Sequence, residues 1–219
     1  MEKNRDYFSC TSQFEVREMG EEKQLGIQGY ALRFNSMSED LGYREVIALG
    51  ALDDTDLSDV ILTFNHSEDK VLARNNKQEG TGSLKLTVDS QGLFFEAIPT
   101  DTTYSRDLIE NIKNGVIDKC SFRFRIDWSD KEAQKWDWDD GIRGYDLRTI
   151  KKIKKIVDVS LVTFPAYSQS SATTYKRAKE EAEQERNLAK ERTVLAIELG
   201  LQFIEKNKKE EVIKWNLKR

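Results

Sequence analysis

The sequence predicts an α+β fold: a mainly antiparallel, closed, barrel-like β-sheet with flanking helices, followed by a helical C-terminal tail. Short apolar runs separated by turn-forming residues occur from about residue 14 to residue 164, a pattern typical of strands. Beyond this region strong helix formers dominate, with opposite charges at i,i+4 spacing and Gly200 as the only glycine. We therefore expect two domains, residues 1–171 and a helical tail of residues 172–219.

Six segments rich in apolar, β-branched and aromatic residues predict the strands. They are residues 25–34, 60–66, 84–88, 93–98, 120–128 and 156–164. The sequence Asp89-Ser90-Gln91-Gly92 lies between the third and fourth segments. It predicts a hairpin connection, because Asp and Gly tolerate the backbone dihedrals of tight turns.

Helical periodicity interrupts the strands at residues 100–115. Apolar residues recur there at helical spacing: Tyr104, Leu108, Ile109 and Ile112. Asp101 or Thr102 can cap the first turn, and Gly115 can end the helix in a left-handed conformation. A second, shorter helix is predicted at about residues 53–59.

Two further segments are expected to lie beside these elements. Residues 128–146, which include Trp136 and Trp138, predict an inserted hairpin or loop. It is either a substrate-binding flap or a solvent-facing loop anchored by its tryptophans. The basic run 148–156 predicts the approach to a strand with a solvated basic face; contact with nucleic acid or with an acidic scaffold is the alternative.

Composition and charge exclude several classes of protein. The 219 residues include 35 Lys and Arg, 39 Asp and Glu, two cysteines and one histidine, and the net charge is −4. No apolar run approaches the roughly 18 residues that span a bilayer, and the N-terminus lacks the apolar stretch of a secretory signal. We therefore expect a cytoplasmic protein without membrane contact, with no metal or other cofactor and no specific nucleic-acid partner.

The single histidine ends the apolar run 60–66. In a strand, alternation would put His66 on the face of Leu62 and Phe64, with the imidazole where the strand meets solvent. This position suits a general base, but an isolated histidine is more often a hydrogen-bonded structural residue. On these residues alone both interpretations are open.

A serine lies in a run of alternating apolar and polar residues, 119–125. Alternation predicts a buried and an accessible face: Cys120, Phe122 and Phe124 against Ser121, Arg123 and Arg125. An accessible hydroxyl beside guanidinium groups suits a nucleophile with donors near a developing oxyanion. An ordinary half-buried strand also fits, and Cys120 becomes the candidate nucleophile if the strand phase is reversed.

An acidic residue, Asp158, interrupts the apolar run 156–164. A carboxylate in a buried strand needs a partner to offset its desolvation, and either a histidine N–H or a lysine from the run 151–155 would serve. Together Ser121, His66 and Asp158 supply the nucleophile, base and orienting carboxylate of acyl transfer. The sequence lacks a G-x-S-x-G elbow, which argues against an α/β-hydrolase.

Six segments resemble the successive signatures of the tailed-phage prohead (capsid maturation) proteases, a family similar in fold to the herpesvirus assemblins. The segments are GYALRFN at 29–35, GAL at 50–52, FNH at 64–66, GLFFEA at 92–97, CSFRF at 120–124 and VDVSLVTFPAY at 157–167. Their order and spacing also match, over roughly residues 25–170. The family usually has Gly-Met-Ser-Phe-Gly-Phe around the serine, from which Lys119, Cys120 and Arg123 depart.

The resemblance implies a serine endopeptidase in which Ser121 is the nucleophile, His66 the general base and Asp158 the third residue. Arg123 and Phe122 are expected to bind the substrate. The implied substrates are N-terminal segments of a scaffold or major capsid protein, cleaved inside an immature phage head in the host cytoplasm. Since the related assemblins gain activity by self-association, we also expect a homodimer.

Two other interpretations of the chain remain. The apolar half of the predicted tail needs a partner surface: Val194, Leu195, Ile197, Leu199, Leu201, Phe203 and Ile204. This favours a non-catalytic head-assembly or scaffolding protein that retains the protease fold. A cysteine enzyme that uses Cys120 is the second alternative.

Overall fold

The structure is a computed structural model that describes residues 6–10, 14–19, 24–77, 79–164 and 169–216. The chain divides into two compact units, Met1–Tyr175 and Lys176–Arg219. The domain boundary after residue 171 stays a prediction. Residues 165–167 of the last family signature lie outside the described residues.

The largest sheet of the first unit has nine strands among the residues that the structure describes. In spatial order its strands are β1 (Asp6–Cys10), β9 (Lys119–Arg125), β12 (Lys155–Val162), β5 (Ile61–Phe64), β6 (Val71–Arg74), β7 (Ser83–Val88), β8 (Gly92–Ile98), β3 (Gln24–Arg33) and β2 (Phe14–Met19). All six predicted strands are present, although β5, β9 and β12 end two or three residues earlier than expected. The Asp89–Gly92 hairpin is confirmed, and Asp89 Oδ1 accepts hydrogen bonds from the Gln91 and Gly92 N–H groups.

The prediction of a mainly antiparallel, closed sheet is wrong. The sheet is mixed because β12 pairs parallel with β5, and β6 pairs parallel with β7. It curls into a half-barrel, and in the described part of the chain no ladder joins its edge strands β1 and β2. Strand direction and closure depend on how distant segments connect, which the alternation of apolar residues does not record.

A separate three-stranded sheet contains β10 (Gln134–Asp137), β11 (Leu147–Ile150) and β4 (Arg44–Ile47). The strands β10 and β11 form the hairpin that includes part of the predicted insertion at 128–146. The basic run that follows is less solvated than expected, because Arg148 is fully buried against Glu45, with Nη1 to Oε2 at 2.8 Å. Tyr43 and Trp136 pack beside this ion pair.

Helix α1 (Thr103–Lys113) joins β8 to β9. Its N-cap is Thr102, whose hydroxyl accepts from the Ser105 N–H, and Gly115 has a φ of 69° just beyond its end. Three of the four predicted apolar residues are buried: Leu108, Ile109 and Ile112. The predicted helix at 53–59 is wrong; this segment forms turns and an isolated bridge from Asp56 to Lys155.

The predicted helical tail is a single helix, α2 (Gln169–Asn216). Within its described side chains the apolar residues are more than half exposed: Leu188, Val194, Leu195, Ile197, Leu199, Leu201 and Ile204. The Phe203 side chain lies outside the described part. Among the described residues, no helix combines the length and apolar content that crossing a membrane requires.

The hydrophobic core lies on one face of β9, β12 and β5 and reaches β3, β8 and α1. Its fully buried members include Ile27, Leu32, Leu62, Phe95, Phe122, Phe124, Ile156, Val159 and Leu161. Because one face of β9 and β12 is committed to this core, the polar residues of the two strands lie together on the opposite face.

Candidate active site

His66 lies in a turn just beyond β5. The strand ends at Phe64, and both Asn65 and His66 have left-handed backbones, with φ of 52° and 55°. The predicted strand 60–66 therefore extends two residues beyond the end of β5, and alternation from Leu62 does not orient the imidazole. Non-glycine residues adopt this conformation only at a cost, which the surrounding structure offsets.

Hydrogen bonds from the turn to β12 and the residue beyond it hold this backbone. The Asn65 N–H donates to the Leu161 carbonyl at 2.9 Å, and the Asn65 side chain pairs with Thr163, whose N–H donates to Oδ1 at 3.0 Å. The His66 N–H donates to Ser160 Oγ at 2.8 Å. The position of the imidazole is thus fixed from the strand that carries Asp158.

Strand β9 has the predicted phase. Cys120, Phe122 and Phe124 belong to the hydrophobic core, and Ser121 and Arg123 lie on the other face. This second face is more enclosed than expected, because Ser121 is 0% and Arg123 only 5% exposed. Around Ser121 and Arg123 the expected accessible face is therefore a buried polar layer, whereas Arg125 at the end of β9 is exposed.

Cross-strand register brings β12 to the same place. Ser121 pairs with Ser160, and Arg123 pairs with Asp158. A β-bulge at Val157 lies between the pairs that Ile156 and Asp158 make with β9. A bulge adds one residue to a strand and changes the alternation of its side chains. Ile156 consequently reaches the core, whereas Asp158 lies in the polar layer.

The three residues with acyl-transfer chemistry meet in this layer. His66 Nε2 is 2.9 Å from Ser121 Oγ, and His66 Nδ1 is 2.9 Å from Asp158 Oδ1. An ionised carboxylate only accepts hydrogen bonds, so Nδ1 carries the proton and Nε2 is the acceptor for the Ser121 hydroxyl. The imidazole is partly accessible, with 17% of its side chain exposed, whereas Asp158 is fully buried.

Arg123 supplies the cation that the buried carboxylate needs. Its Nε donates to Asp158 Oδ2 at 2.6 Å, and a terminal guanidinium nitrogen also contacts Oδ2. Its Nη1 lies 3.5 Å from Glu68 Oε1, on a side chain that is 61% exposed. Asp158 therefore lies between His66 and Arg123, and not beside a lysine from the run 151–155.

Two other sequence expectations concern β9. The Phe122 side chain is fully buried in the core, and its expected role in substrate binding stays a prediction. The guanidinium of Arg123 is engaged by Asp158, and the expectation that it contacts substrate also stays a prediction. Cys120 is fully buried in the core, on the face opposite Ser121, so the reversed strand phase that a cysteine nucleophile requires is wrong.

Sequence reasoning missed the residues that hold the histidine turn, Asn65 and Ser160. The sequence does contain a signal for the first, because Asn tolerates left-handed backbone better than most residues and precedes the histidine directly. Ser160 has no comparable signal. In the ranges that the structure describes, no group of three or more His, Cys, Asp or Glu side chains is arranged to hold a metal ion.

Comparison with known proteins adds a family match. The sequence profile of the family described as caudovirus prohead serine protease matches residues 12–185. No curated protein matches the chain. Among solved structures, the chain is similar to the capsid assembly protease gp21 of bacteriophage T4, with a TM-score of 0.48 and 12% identity over 75% of this chain and 100% of that chain.

Proposed function

The chain belongs to the caudovirus prohead serine protease family, and on that premise we propose that it is an endopeptidase whose nucleophile is Ser121. The observation that carries this assignment is the continuous set of hydrogen-bond distances from Ser121 Oγ through both nitrogens of His66 to Asp158, each 2.9 Å. A hydroxyl, an imidazole and a carboxylate in this order are the parts of a serine protease triad.

The proposed reaction has two chemical stages. Ser121 Oγ attacks the carbonyl carbon of the scissile peptide bond while its proton passes to His66 Nε2, and the imidazolium then protonates the leaving amine. Water next attacks the acyl-enzyme, with the same nitrogen accepting a proton and returning it to Ser121. Backbone N–H groups stabilise the oxyanion in both stages. Asp158 accepts the Nδ1–H and stabilises the imidazolium.

Replacement of the nucleophile or the base tests this assignment. Ser121→Ala and His66→Ala should each lower the activity by at least about 10⁴-fold, because the two residues act as a unit. Covalent labelling by a fluorophosphonate reports Ser121 directly, and Ser90→Ala removes an exposed hydroxyl as the matched control. Labelling of Ser121→Ala at the wild-type rate would overturn the nucleophile assignment.

For substrates, we propose the N-terminal segments of a scaffold or major capsid protein, cleaved within an immature head in the host cell. The family description supports this proposal. Co-expression with the capsid and scaffold precursors of the same phage, followed by mass spectrometry of their N-termini, tests it. Shortened N-termini with wild-type protein and intact ones with Ser121→Ala are expected. Intact precursors in both cultures would contradict the proposed substrates.

We propose a homodimer as the active form, from the resemblance to assemblins. Sedimentation velocity at several protein concentrations should show a concentration-dependent dimer. Fluorophosphonate labelling per subunit should rise over the same concentration range. A monomer at all concentrations with constant labelling would contradict this proposal.

An alternative function is head assembly without catalysis. The exposed apolar residues of α2 favour it, since such a surface usually buries against another chain. A Ser121→Ala protein that supports full head maturation would establish this alternative. Shortening the chain after Tyr175 tests the helix separately: retained cleavage with failed assembly would identify α2 as an assembly element.

A further inference from the structure

The buried carboxylate of Asp158 has two cationic or potentially cationic neighbours on opposite sides. His66 Nδ1 lies 2.9 Å from Oδ1, and Arg123 Nε lies 2.6 Å from Oδ2. Asp158 is fully buried and Arg123 is 5% exposed. The two residues are direct cross-strand partners on β12 and β9, so the backbone pairing itself brings the guanidinium to the carboxylate.

A neutral imidazole alone would leave this carboxylate poorly compensated. Burial of an ionised carboxylate is costly unless a charge or several hydrogen bonds offset it. His66 offers one N–H while it is neutral, whereas a guanidinium stays charged at every working pH and donates in a fixed plane. Arg123 therefore keeps a charge beside Asp158 before the imidazolium exists.

We propose that Arg123 is a positioning residue: its guanidinium holds Asp158 ionised and in the plane that presents Oδ1 to His66 Nδ1. In this role Arg123 acts on the reaction only through the carboxylate. The inference rests on the proposed function, and it is separate from the expectation that Arg123 binds substrate.

Other charged groups near Arg123 set the conditions for a pH test. Strand β12 contributes Asp158, and the turn after β5 contributes His66 and Glu68. Glu68 Oε1 lies 3.5 Å from Arg123 Nη1. From β1 the backbone partner of Arg123 is Tyr7. Glu68 is largely exposed, so water and salt screen its contribution.

Three variants of the 219-residue chain separate the charge of Arg123 from its geometry, with the fluorophosphonate labelling rate as the readout. Arg123→Gln should lower the labelling rate by roughly 10- to 100-fold at neutral pH, because the loss of a residue that orients a functional group usually has an effect of this size. Arg123→Lys keeps the charge without the planar donors, so its rate should lie between those of wild type and Arg123→Gln. Arg125→Gln removes an exposed charge from the same strand and should label at the wild-type rate.

The pH dependence gives a readout that a purely structural role would not move. Removal of the Arg123 charge leaves Asp158 with the imidazolium as its charged partner, which favours the protonated imidazole. Because the base must be neutral, the acid limb of the labelling profile should move to higher pH in Arg123→Gln and stay near the wild-type position in Arg123→Lys.

A double-mutant cycle tests whether Arg123 acts through Asp158. Asp158→Asn should by itself reduce labelling strongly, and adding Arg123→Gln to it should cost less than about 3-fold more. The proposal would be overturned if Arg123→Gln lowered the labelling rate by the same factor in the wild-type and Asp158→Asn backgrounds. A wild-type labelling rate and pH profile in Arg123→Gln would also overturn it. If Arg123→Gln does not fold, the test is Arg123→Lys alone and in the Asp158→Asn background. A wild-type labelling rate in Arg123→Lys, or the same loss of rate in both backgrounds, would then overturn the proposal.

Failure of this inference is distinguishable from failure of the proposed function. If Ser121→Ala labels normally, the nucleophile assignment is wrong whatever Arg123 does. If Ser121→Ala is unlabelled while Arg123→Gln behaves as wild type, the protease assignment stands and only the positioning role is overturned.

Discussion

At the scale of single residues, Ser160 connects the histidine turn to the strand of the carboxylate. Its Oγ accepts the His66 N–H at 2.8 Å, and it is the cross-strand partner of Ser121. Ser160 is polar and fully buried, and it does not take part in the proposed proton transfer. Its contribution is to fix a left-handed backbone that would otherwise relax.

We expect Ser160→Ala to lower the free energy of unfolding by about 1 kcal/mol, since a buried N–H loses its acceptor. Fluorophosphonate labelling should fall as well, because the imidazole is no longer held toward Ser121. Urea unfolding and labelling rates measure the two effects. Ser105→Ala is the matched control: it removes a buried hydroxyl that is bonded to Thr102 at 2.8 Å in the first turn of α1, an element that carries none of the site residues. Equal loss of labelling in both variants would contradict the role of Ser160.

The sequence predicted which residues meet in the candidate site better than it predicted their partners. The alternation of β9 was readable because Cys120, Phe122 and Phe124 are apolar and regularly spaced. The pairing of Arg123 with Asp158 could not be read from the sequence, because it depends on cross-strand register and on the bulge at Val157. The roles of Ser121, His66 and Asp158 stay proposals.

At the scale of elements, the β3–β8 pair depends on a glycine at the start of β8. Gly92 pairs with Arg33, and a Cβ at this position would collide with the Leu32 carbonyl oxygen and press on the Arg33 Cα. These are backbone atoms of a paired strand, so they cannot move aside as a flexible side chain would.

Gly92→Ala should therefore lower the free energy of unfolding by about 2–3 kcal/mol. Gly115→Ala is the comparison, because its φ is 69° but no atom lies within 4 Å of the added Cβ. It should cost only the backbone term, about 1 kcal/mol. Urea unfolding of both variants gives the difference, and equal costs would show that the contact with Leu32 is relieved.

The three-stranded sheet contains a second buried ion pair, Glu45 with Arg148. Glu45→Leu leaves the guanidinium buried without its carboxylate and should cost about 3–5 kcal/mol. The double variant Glu45→Leu/Arg148→Met should recover much of this loss, since apolar side chains replace both charges. Thermal and urea unfolding test the pair; a double variant no more stable than Glu45→Leu would contradict the prediction.

Sequence patterns predicted a hairpin or loop at residues 128–146 but not the three-stranded sheet to which part of it belongs, because the strands of this sheet are short and partly polar. The strands β4, β10 and β11 have four residues each, and their buried members include Glu45 and Arg148. Charged residues in an apolar pattern normally indicate a solvated face. Here they pair with each other from separate parts of the chain, and no local signal records such a pairing.

At the scale of the whole molecule, exposed carboxylates paired with cations link stability to acid pH. Hydrogen bonds from Ser129, and then from Lys154, lower the pKa of Asp127 to about 2. A hydrogen bond from Lys155 lowers the pKa of Asp56 further still. A carboxylate with a lowered pKa in the folded state stabilises that state above its ordinary pKa of 3.8 and loses this effect as it is protonated.

We therefore expect the free energy of unfolding to fall as the pH drops from about 4 to 2 and to change little in response to these groups above pH 5. Urea unfolding across this range measures the slope. Asp56→Asn and Asp127→Asn should each make the slope shallower. A slope unchanged in both variants would show that these ion pairs do not hold in solution.

The whole fold was predictable in class but not in topology. The predicted strands of the first unit and the long helix α2 follow from residue periodicities within short stretches of sequence. The parallel pairing of β12 with β5 joins segments almost a hundred residues apart, Asp158 to Ile61. It is one of the two parallel pairings that the prediction of a mainly antiparallel sheet missed. It is also the contact that brings the histidine turn to Asp158.

Because of the bulge at Val157, the number of residues in β12 does not by itself determine which residues of β9 and β12 face each other in the site. Ile156 keeps Phe124 as its partner and Asp158 keeps Arg123, with one residue left over between them. Two homologous chains could differ by a residue here and still align the same carboxylate with the same guanidinium. The number of residues between His66 and Asp158 is thus a poor guide for aligning such sequences. The residue that faces the carboxylate on the serine strand, Arg123 here, is a better guide.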